Sequence, residues 1–300
     1  MTETPVSREP SAVGFTSTDA LLGVMALIWG VNFIVVKSAM REIPPLAFNA
    51  LRYALAAVTL VALARLTGAR LPDRADAKRF LMIGLLGHVV YQIGFIEGIA
   101  RTRAGNAALL MAAVPVQTAV LSHLSGHERL RSRDVLGLLL GVAGITAIVL
   151  GSGKAVAFGS TVRGDLIVLV STVCWSVYAI LSKPLADRYG PATLTTWMTL
   201  VGLGPLTLVA LPSLVTMPWR AISSGAWAGV VYSALGALVV AYFFWTRGIQ
   251  RLGPARTAMY SNFTPVVAML AAWGFLHETP TPWQVTGAAG IFTGVWLTRT

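Results

Sequence analysis

The sequence predicts an all-α integral membrane protein with ten transmembrane helices, arranged as an inverted five-plus-five structural repeat. An apolar composition, ten long apolar stretches and an internal repeat lead to this prediction. Of the 300 residues, 55% are hydrophobic and 12% are charged, and the mean hydropathy is +0.70. Because soluble proteins carry about 25% charged residues, this chain has too little polar surface for a globule in water and is expected to lie in a lipid bilayer.

The same composition argues against other classes of protein. The formal net charge is +11, but the basic residues lie singly or in small clusters between apolar runs, so no nucleic-acid partner is expected. Cys174 is the only cysteine, which excludes an internal disulfide and a cysteine-based metal site. Residues 1–18 are rich in Ser, Thr, Pro and Glu and predict a flexible cytoplasmic tail rather than a signal peptide.

Ten stretches are long enough to cross the membrane, for which a helix needs about 20 apolar residues. Nine of them lack Asp, Glu, Lys and Arg, and the stretch 46–64 is interrupted only by Arg52. The predicted spans are 20–36, 46–64, 80–96, 104–122, 135–153, 166–182, 192–211, 221–246, 257–276 and 280–298. Pro and Gly mark the joints, and the short loops predict antiparallel neighbours.

The distribution of Lys and Arg predicts the orientation. An even number of spans places both termini on one side, which carries 15 basic residues against 7 on the other side. Cytoplasmic loops are the richer in Lys and Arg, so both termini are expected in the cytoplasm. The expected location is a bacterial inner membrane.

The two halves of the chain resemble each other. Rare residues of the first half recur in the same order in the second half. The residue numbers differ by 146 for Asp19 and Asp165, Trp29 and Trp175, and Lys37 and Lys183. They differ by 150 for Pro115 and Pro265 and for His127-Glu128 and His277-Glu278. The predicted units are a tail 1–18, a first repeat 19–153, a linker 154–164 and a second repeat 165–300. Since each repeat has five helices, the second is inverted, and inverted repeats form transporter sites at their interface.

Motifs in both halves carry a family resemblance. The first span reads Trp29-Gly30-Val31-Asn32-Phe33, Pro115 follows the run 107–114 in the fourth span, and Glu128 follows that span. Residues 19–298 thereby resemble the drug/metabolite transporter superfamily, in particular its EamA-type members, and are most similar to the YddG-type amino-acid exporters. The resemblance implies export of metabolites such as amino acids without ATP hydrolysis. It also implies a cavity surrounded by helices 1, 3, 4, 6, 8 and 9, with helices 5 and 10 outside it.

Polar and aromatic side chains deep in the spans predict the substrate site, because polar residues in a membrane are costly. His88, Tyr91, Gln92 and Phe95 share one face of the third span, as a cavity wall or as a hydrogen-bonded seam between helices. Trp29 and Trp175 lie near the middle of their spans, too deep for interfacial anchors. The predicted site is therefore lined by Trp29, Asn32, His88, Tyr91, Trp175 and Tyr178. The eighth span adds Tyr242 and Trp245 as weaker candidates.

Two matched pairs are candidates for gates or hinges. Lys37 and Lys183 end the first and sixth spans, either as gate charges or as lysines that reach the membrane interface. Pro115 and Pro265 kink matched spans, either as hinges or as structural bends.

The remaining features concern packing. Arg52 and Glu97 both lie towards the outer side and are predicted to form a structural ion pair. In the alternative, Glu97 pairs with Arg101, and Arg52 is left to backbone carbonyls or the cavity. The small-xxx-small patterns at 137–141 and 290–294 allow close helix contact, which we expect within the chain.

Taken with the resemblance, these features predict a monomeric secondary exporter of small metabolites, chiefly amino acids including aromatic ones, and not an enzyme. No cofactor or metal is expected, and no charged residue is expected in mid-cavity. The alternatives are a membrane-bound enzyme acting on lipids, which would need His, Asp or Glu clustered near one interface, and a metabolite channel.

Cysteine labelling tests the predicted topology. After replacement of Cys174, single cysteines at positions 11 and 132 should react with a membrane-impermeant thiol reagent from the cytoplasmic side only. Single cysteines at positions 160 and 213 should react from the outside only. Labelling of positions 11 and 160 from the same side would contradict the five-plus-five arrangement.

Overall fold

The computed structural model describes residues 16–102, 107, 110–111, 113–126, 130–151, 162–276 and 279–299, and the regular elements among these are all helical. The helices are α1 (Ser17–Ala39), α2 (Pro45–Thr67), α3 (Arg74–Arg101), α4 (Ala113–Leu124), α5 (Ser132–Gly151), α6 (162–189), α7 (191–216), α8 (Ser224–Leu252), α9 (254–276) and α10 (Pro282–Arg299). Most of the predicted tail and linker lies outside the described residues, as do the matched pairs His127-Glu128 and His277-Glu278.

Six helical segments in the described part of the chain are long and apolar enough to cross a membrane. They are α1, α2, α3, α5, α8 and the run that contains α6 and α7. These helices agree with the predicted membrane protein, whereas the count of ten crossings remains a prediction. Each predicted span overlaps one of the described helices.

Local sequence explains where several helices begin, end or break. The Asp19 carboxylate accepts a hydrogen bond from the Thr16 backbone N–H at 2.7 Å, which caps the start of α1. Gly68 ends α2 with φ of 64°. The run Val162–Thr216 has 55 residues, or about 80 Å at 1.5 Å per residue, far more than a bilayer core. It breaks at Gly190, with φ 78° and ψ 169°, and Pro191 follows.

Helices α3 and α8 each contain a π-helical segment, at Leu86–Val90 and Ser233–Val240. These segments overlap when the repeat offset of 150 is applied. A π-helical turn widens the helix, shifts the direction of the side chains that follow, and occurs often at functional sites.

Helices α5 and α10 pack closely along a seam of glycines. A Cβ atom on Gly137 would lie 2.6 Å from the backbone oxygen of Gly294, and one on Gly144 would meet that of Gly287. Since the higher number on α5 meets the lower number on α10, the two helices run antiparallel. The expectation that these glycine patterns pack within the chain is confirmed.

The first helix of each repeat packs against the third helix of the other. Leu22 and Ile28 of α1 lie against Gly248 and Gly236 of α8, respectively. In the same way, Val168 of α6 lies against Gly98 of α3. The pairs Leu22–Gly248 and Val168–Gly98 are related by the repeat offsets. The two halves are therefore interlocked rather than laid side by side.

Adding a single methyl group to Gly137 should weaken the packing of α5 against α10. Gly137→Ala places its Cβ against backbone, which cannot rotate away, so we expect a loss of about 1–3 kcal/mol, typical of overpacking, and a lower unfolding temperature in detergent. Gly23→Ala in α1 is the matched control, because nothing lies within 4 Å of its added Cβ. It should be neutral or slightly stabilising, since Ala favours helix. Equal unfolding temperatures for the two variants would contradict the seam.

Candidate functional site

Aromatic side chains from α1, α3, α6 and α8 form one cluster inside the helix bundle. The Trp175 ring centroid lies 4.6 Å from that of Tyr91, 5.0 Å from Tyr178 and 5.1 Å from Trp245. It also lies 5.5 Å from Tyr242 and 6.1 Å from Trp29. We call these six residues, Trp29, Tyr91, Trp175, Tyr178, Tyr242 and Trp245, the aromatic cluster. Apart from the half-buried Trp29, its members are at most 6% exposed.

The cluster lies where the two repeats meet. Trp29 and Trp175 are repeat partners, and their rings contact each other edge to face. Trp29 also contacts Tyr242 and Trp245 of the other half, at 6.0 and 5.4 Å between centroids. Aromatic pairs in this range are favourable beyond the area they bury, so the cluster helps to hold the two halves together.

His88 links three helices beside the cluster. It is completely buried, with Nδ1 3.1 Å from the Tyr53 hydroxyl and Nε2 3.3 Å from the Tyr178 hydroxyl. A neutral imidazole has one donor and one acceptor nitrogen, so the two phenols satisfy both. At His88, the face of α3 that carries His88, Tyr91, Gln92 and Phe95 therefore forms hydrogen bonds between helices. This is one of the two interpretations that the sequence left open.

Gln92, one turn further along α3, links Arg52 to the cluster. Its amide oxygen accepts from Arg52 Nη2 at 2.7 Å, and its amide nitrogen donates to the Tyr242 hydroxyl at 2.6 Å. Arg52 also donates from Nε to Asn49 Oδ1 at 2.9 Å and from Nη1 to Ser233 Oγ at 3.0 Å. Arg52 is 2% exposed and lies over the Phe48 ring. A buried hydrogen-bonded chain therefore joins α2, α3 and α8.

The predicted ion pair between Arg52 and Glu97 is wrong. Glu97 pairs with Arg101, which is the alternative that the sequence left open. The physical reason is proximity: Arg101 is four residues on along the same helix, whereas all three guanidinium nitrogens of Arg52 are hydrogen-bonded to Asn49, Ser233 and Gln92. Those partners are side chains rather than the backbone carbonyls considered in the alternative.

Five of the six predicted site residues are therefore joined: Trp29, His88, Tyr91, Trp175 and Tyr178 are linked by ring contacts or hydrogen bonds. Asn32 is buried nearby on α1. Its Oδ1 has no hydrogen-bond partner among the described residues, and the same holds for Nε1 of Trp245. Buried polar atoms are nearly always paired, yet eight side-chain atoms among the described residues are not. We single out these two as candidates for ligand contacts because Trp245 belongs to the cluster and Asn32 lies one turn from Trp29 on α1.

The two predicted gate lysines make similar contacts in the two repeats. Lys37 donates to the Thr102 carbonyl at the end of α3, and Lys183 donates to the Gln250 carbonyl near the end of α8, each at 3.3 Å. Lys183 also forms an ion pair with Asp187. Lysines suit the carbonyl-rich ends of helices. These contacts give both residues a structural role, and the gating role stays a prediction.

Pro265 distorts α9 as expected of a mid-span proline. The segment Tyr260–Asn262, just before it, is a 3-10 turn, because proline lacks an N–H and its ring crowds the carbonyl four residues back. Pro115 lies in α4, and the described residues 107, 110 and 111 before it are also helical, while the others between 103 and 112 lie outside the described part of the chain. The hinge role of both prolines stays a prediction.

Several residues in or around the cluster were not among the six predicted site residues. The sequence does not mark Tyr53 and Ser233 as site residues, because their roles depend on tertiary contacts. The sequence does mark Tyr242 and Trp245. They stand 150 residues after Gln92 and Phe95, so they occupy on α8 the positions that Gln92 and Phe95 occupy on α3. Applying the repeat to this face of α3 would have placed both in the site.

A cavity of about 540 Å³ lies elsewhere, lined in part by Leu138 of α5, Arg256 and Met259 of α9 and Thr298 of α10. None of its lining residues belongs to the aromatic cluster. We favour the cluster as the functional site, because the buried hydrogen-bonded chain from Arg52 ends at its Tyr242 hydroxyl and because it joins helices of both repeats.

Comparison with known proteins gives a consistent result over the whole chain. The sequence matches the model of the EamA-like transporter family twice, over residues 16–150 and 162–300. The uncharacterized transporter YyaM of Bacillus subtilis (strain 168) is 28% identical over 279 residues, which cover 92% of this chain and 90% of YyaM.

Two other relatives have names that specify a substrate. The "Probable terminal-alkyne amino-acid exporter" of Streptantibioticus cattleyicolor is 27% identical, covering 92% of this chain and 91% of its own. The "Probable amino-acid metabolite efflux pump" of Salmonella typhimurium is 25% identical, covering 91% and 92%. A solved crystal structure has the same fold, with a TM-score of 0.79 at 22% identity over 95% of this chain and 96% of that one.

Mutant cycles on the unfolding free energy distinguish the partners of Arg52. Arg52→Ala and Gln92→Ala remove the same hydrogen bond, so the double variant should deviate from additivity by about 0.5–3 kcal/mol. Arg52→Ala and Glu97→Ala should be additive, because those side chains do not pair. Stronger coupling of Arg52 to Glu97 than to Gln92 would contradict this network.

Proposed function

The chain belongs to the EamA-like transporter family, and we propose that it is a secondary exporter of amino acids and related small metabolites, aromatic amino acids included. Membership makes it a multi-pass membrane transporter, as the names of its relatives indicate. Two relatives named for amino-acid export or efflux support amino acids as the substrate class. The proposed location is a bacterial inner membrane, with both termini in the cytoplasm.

The observation that carries this proposal is the aromatic cluster with polar atoms at its edge. Small-molecule sites combine apolar and aromatic walls with a few well-placed polar groups. Here the Trp245 Nε1 donor and the Asn32 Oδ1 acceptor are buried and unpaired in the described structure. An amino acid offers an apolar side chain to the rings, a carboxylate to a donor and an ammonium group to an acceptor.

The packing of the two halves supports alternating access between inverted repeats. Equivalent helices α5 and α10 run antiparallel, and α1 and α6 contribute repeat-related tryptophans to the same cluster. In the proposed mechanism one repeat, 19–153, rocks against the other, 165–300, and exposes the cluster to each side in turn. Lys37 and Lys183 would then stand at opposite mouths, and Pro115 and Pro265 would act as hinges.

Reconstitution into proteoliposomes tests the proposed function. Trp175→Ala or Tyr91→Ala should cut exchange of labelled amino acids about tenfold, because each variant removes a ring proposed to contact the substrate. An aromatic contact is worth about 0.5–1.5 kcal/mol, and about 1.4 kcal/mol corresponds to a tenfold change. Trp296→Ala is the matched control, because Trp296 is 56% exposed and lies outside the cluster. It should exchange at the wild-type rate.

The same vesicles separate a carrier from a channel. A carrier shows counterflow, in which unlabelled substrate inside drives accumulation of labelled substrate, and a channel does not. Unchanged exchange in both cluster variants, across several amino acids and at normal folded yield, would contradict the proposed site.

A further inference from the structure

Arg52 is a buried cation whose hydrogen-bond partners are neutral. Its guanidinium contacts an amide oxygen of Asn49, a hydroxyl of Ser233 and an amide oxygen of Gln92. Within the described part of the chain, no ion pair joins it to a carboxylate. Burying a charge without a counter-charge is unfavourable by several kcal/mol, so the protein retains this residue at a cost to its stability.

The repeat indicates that packing does not require the charge. At the offset of 146, Arg52 corresponds to Met198, which is completely buried in α7. An apolar side chain of similar length thus fills the equivalent position in the other half. The arginine needs another explanation, and ionisable residues inside membrane segments mark function by default.

One side chain, Gln92, separates the guanidinium from the aromatic cluster, and the guanidinium has further N–H donors. Gln92 connects Arg52 to the Tyr242 hydroxyl, and the Tyr242 ring lies 5.5 Å from that of Trp175. A guanidinium has five N–H groups, and three of them are used in the described contacts. One N–H remains on each terminal nitrogen, and two such donors match the two oxygens of a carboxylate.

We infer that Arg52 binds the carboxylate of the exported molecule while the aromatic cluster binds its apolar part. This inference rests on the proposed function and specifies its substrate class: organic carboxylates with an aromatic or apolar side chain. The carboxylate supplies the counter-charge that the buried guanidinium lacks. The protein should then accept a range of substrate side chains but require the substrate carboxylate. A site that includes Arg52 replaces the expectation of a cavity without charged residues.

Three probes that share a phenyl ring test the wild-type protein. L-phenylalanine has a carboxylate and an ammonium group, 3-phenylpropanoate has the carboxylate alone, and phenethylamine has the ammonium group alone. Binding is followed by quenching of tryptophan fluorescence in purified protein. Phenylalanine and 3-phenylpropanoate should bind at least about tenfold more tightly than phenethylamine, as expected for a buried charge contact.

The outcomes separate the two proposals. Equal binding of all three probes would overturn the role of Arg52 and leave an aromatic substrate site intact. If none of the probes binds or exchanges, the aromatic substrate class of the proposed function is wrong, and the carboxylate contact for that class falls with it.

Variants of Arg52 give a second test. Arg52→Met copies Met198 and should fold, while the preference for 3-phenylpropanoate over phenethylamine falls to about one. Arg52→Lys keeps the charge and should retain part of the preference. Arg65→Met, at the exposed end of the same helix, is the matched control and should bind as wild type. If folded Arg52→Met keeps the full carboxylate preference, the inference is wrong.

Discussion

The burial of the Arg52 guanidinium sets the arrangement around it. In a membrane interior, polar groups must find partners within the protein, because lipid offers none. Arg52 finds them on its own helix α2, on α3 through Gln92 and on α8 through Ser233. His88 joins α2, α3 and α6 in the same way through two tyrosine hydroxyls. These two sets of contacts hold four helices at fixed rotations, and the aromatic cluster occupies the space that they enclose.

Glycine seams supply the other constraint. In lipid there is no hydrophobic force between helices, so association depends on close van der Waals contact and hydrogen bonds. Gly98 of α3 and Gly248 of α8 each admit a side chain from the first helix of the opposite repeat. Since the halves interlock along these seams, any rocking of one repeat against the other must slide along them. Because glycine has no side chain, a neighbouring helix can slide past these glycines with little rearrangement of side chains.

Composition and long apolar stretches predicted the helical membrane protein, and rare residues at fixed offsets predicted the duplication. Most of the aromatic cluster could be predicted because its residues lie deep in their spans. Trp29 and Trp175 were identified from depth in their spans, and the structure brings them into contact. The partners of Arg52 could not be predicted, since helical spacing gives the face of a residue but not the rotation of its neighbours. Glu97 illustrates this limit: a partner on its own helix, Arg101, was available at a spacing that the sequence does show.

The asymmetry of the site has a consequence for the proposed mechanism. Two inverted repeats with identical residues would offer an amino acid two equivalent orientations, related by the pseudo-two-fold axis. The repeats match in the order of their helices, but their side chains differ beside the cluster: Arg52 corresponds to Met198 and His88 to Leu238. A single guanidinium on one side of the rings then fixes one orientation of a bound carboxylate. If the carboxylate binds Arg52 as inferred above, the substrate would keep one pose in both proposed openings and need not turn over between them.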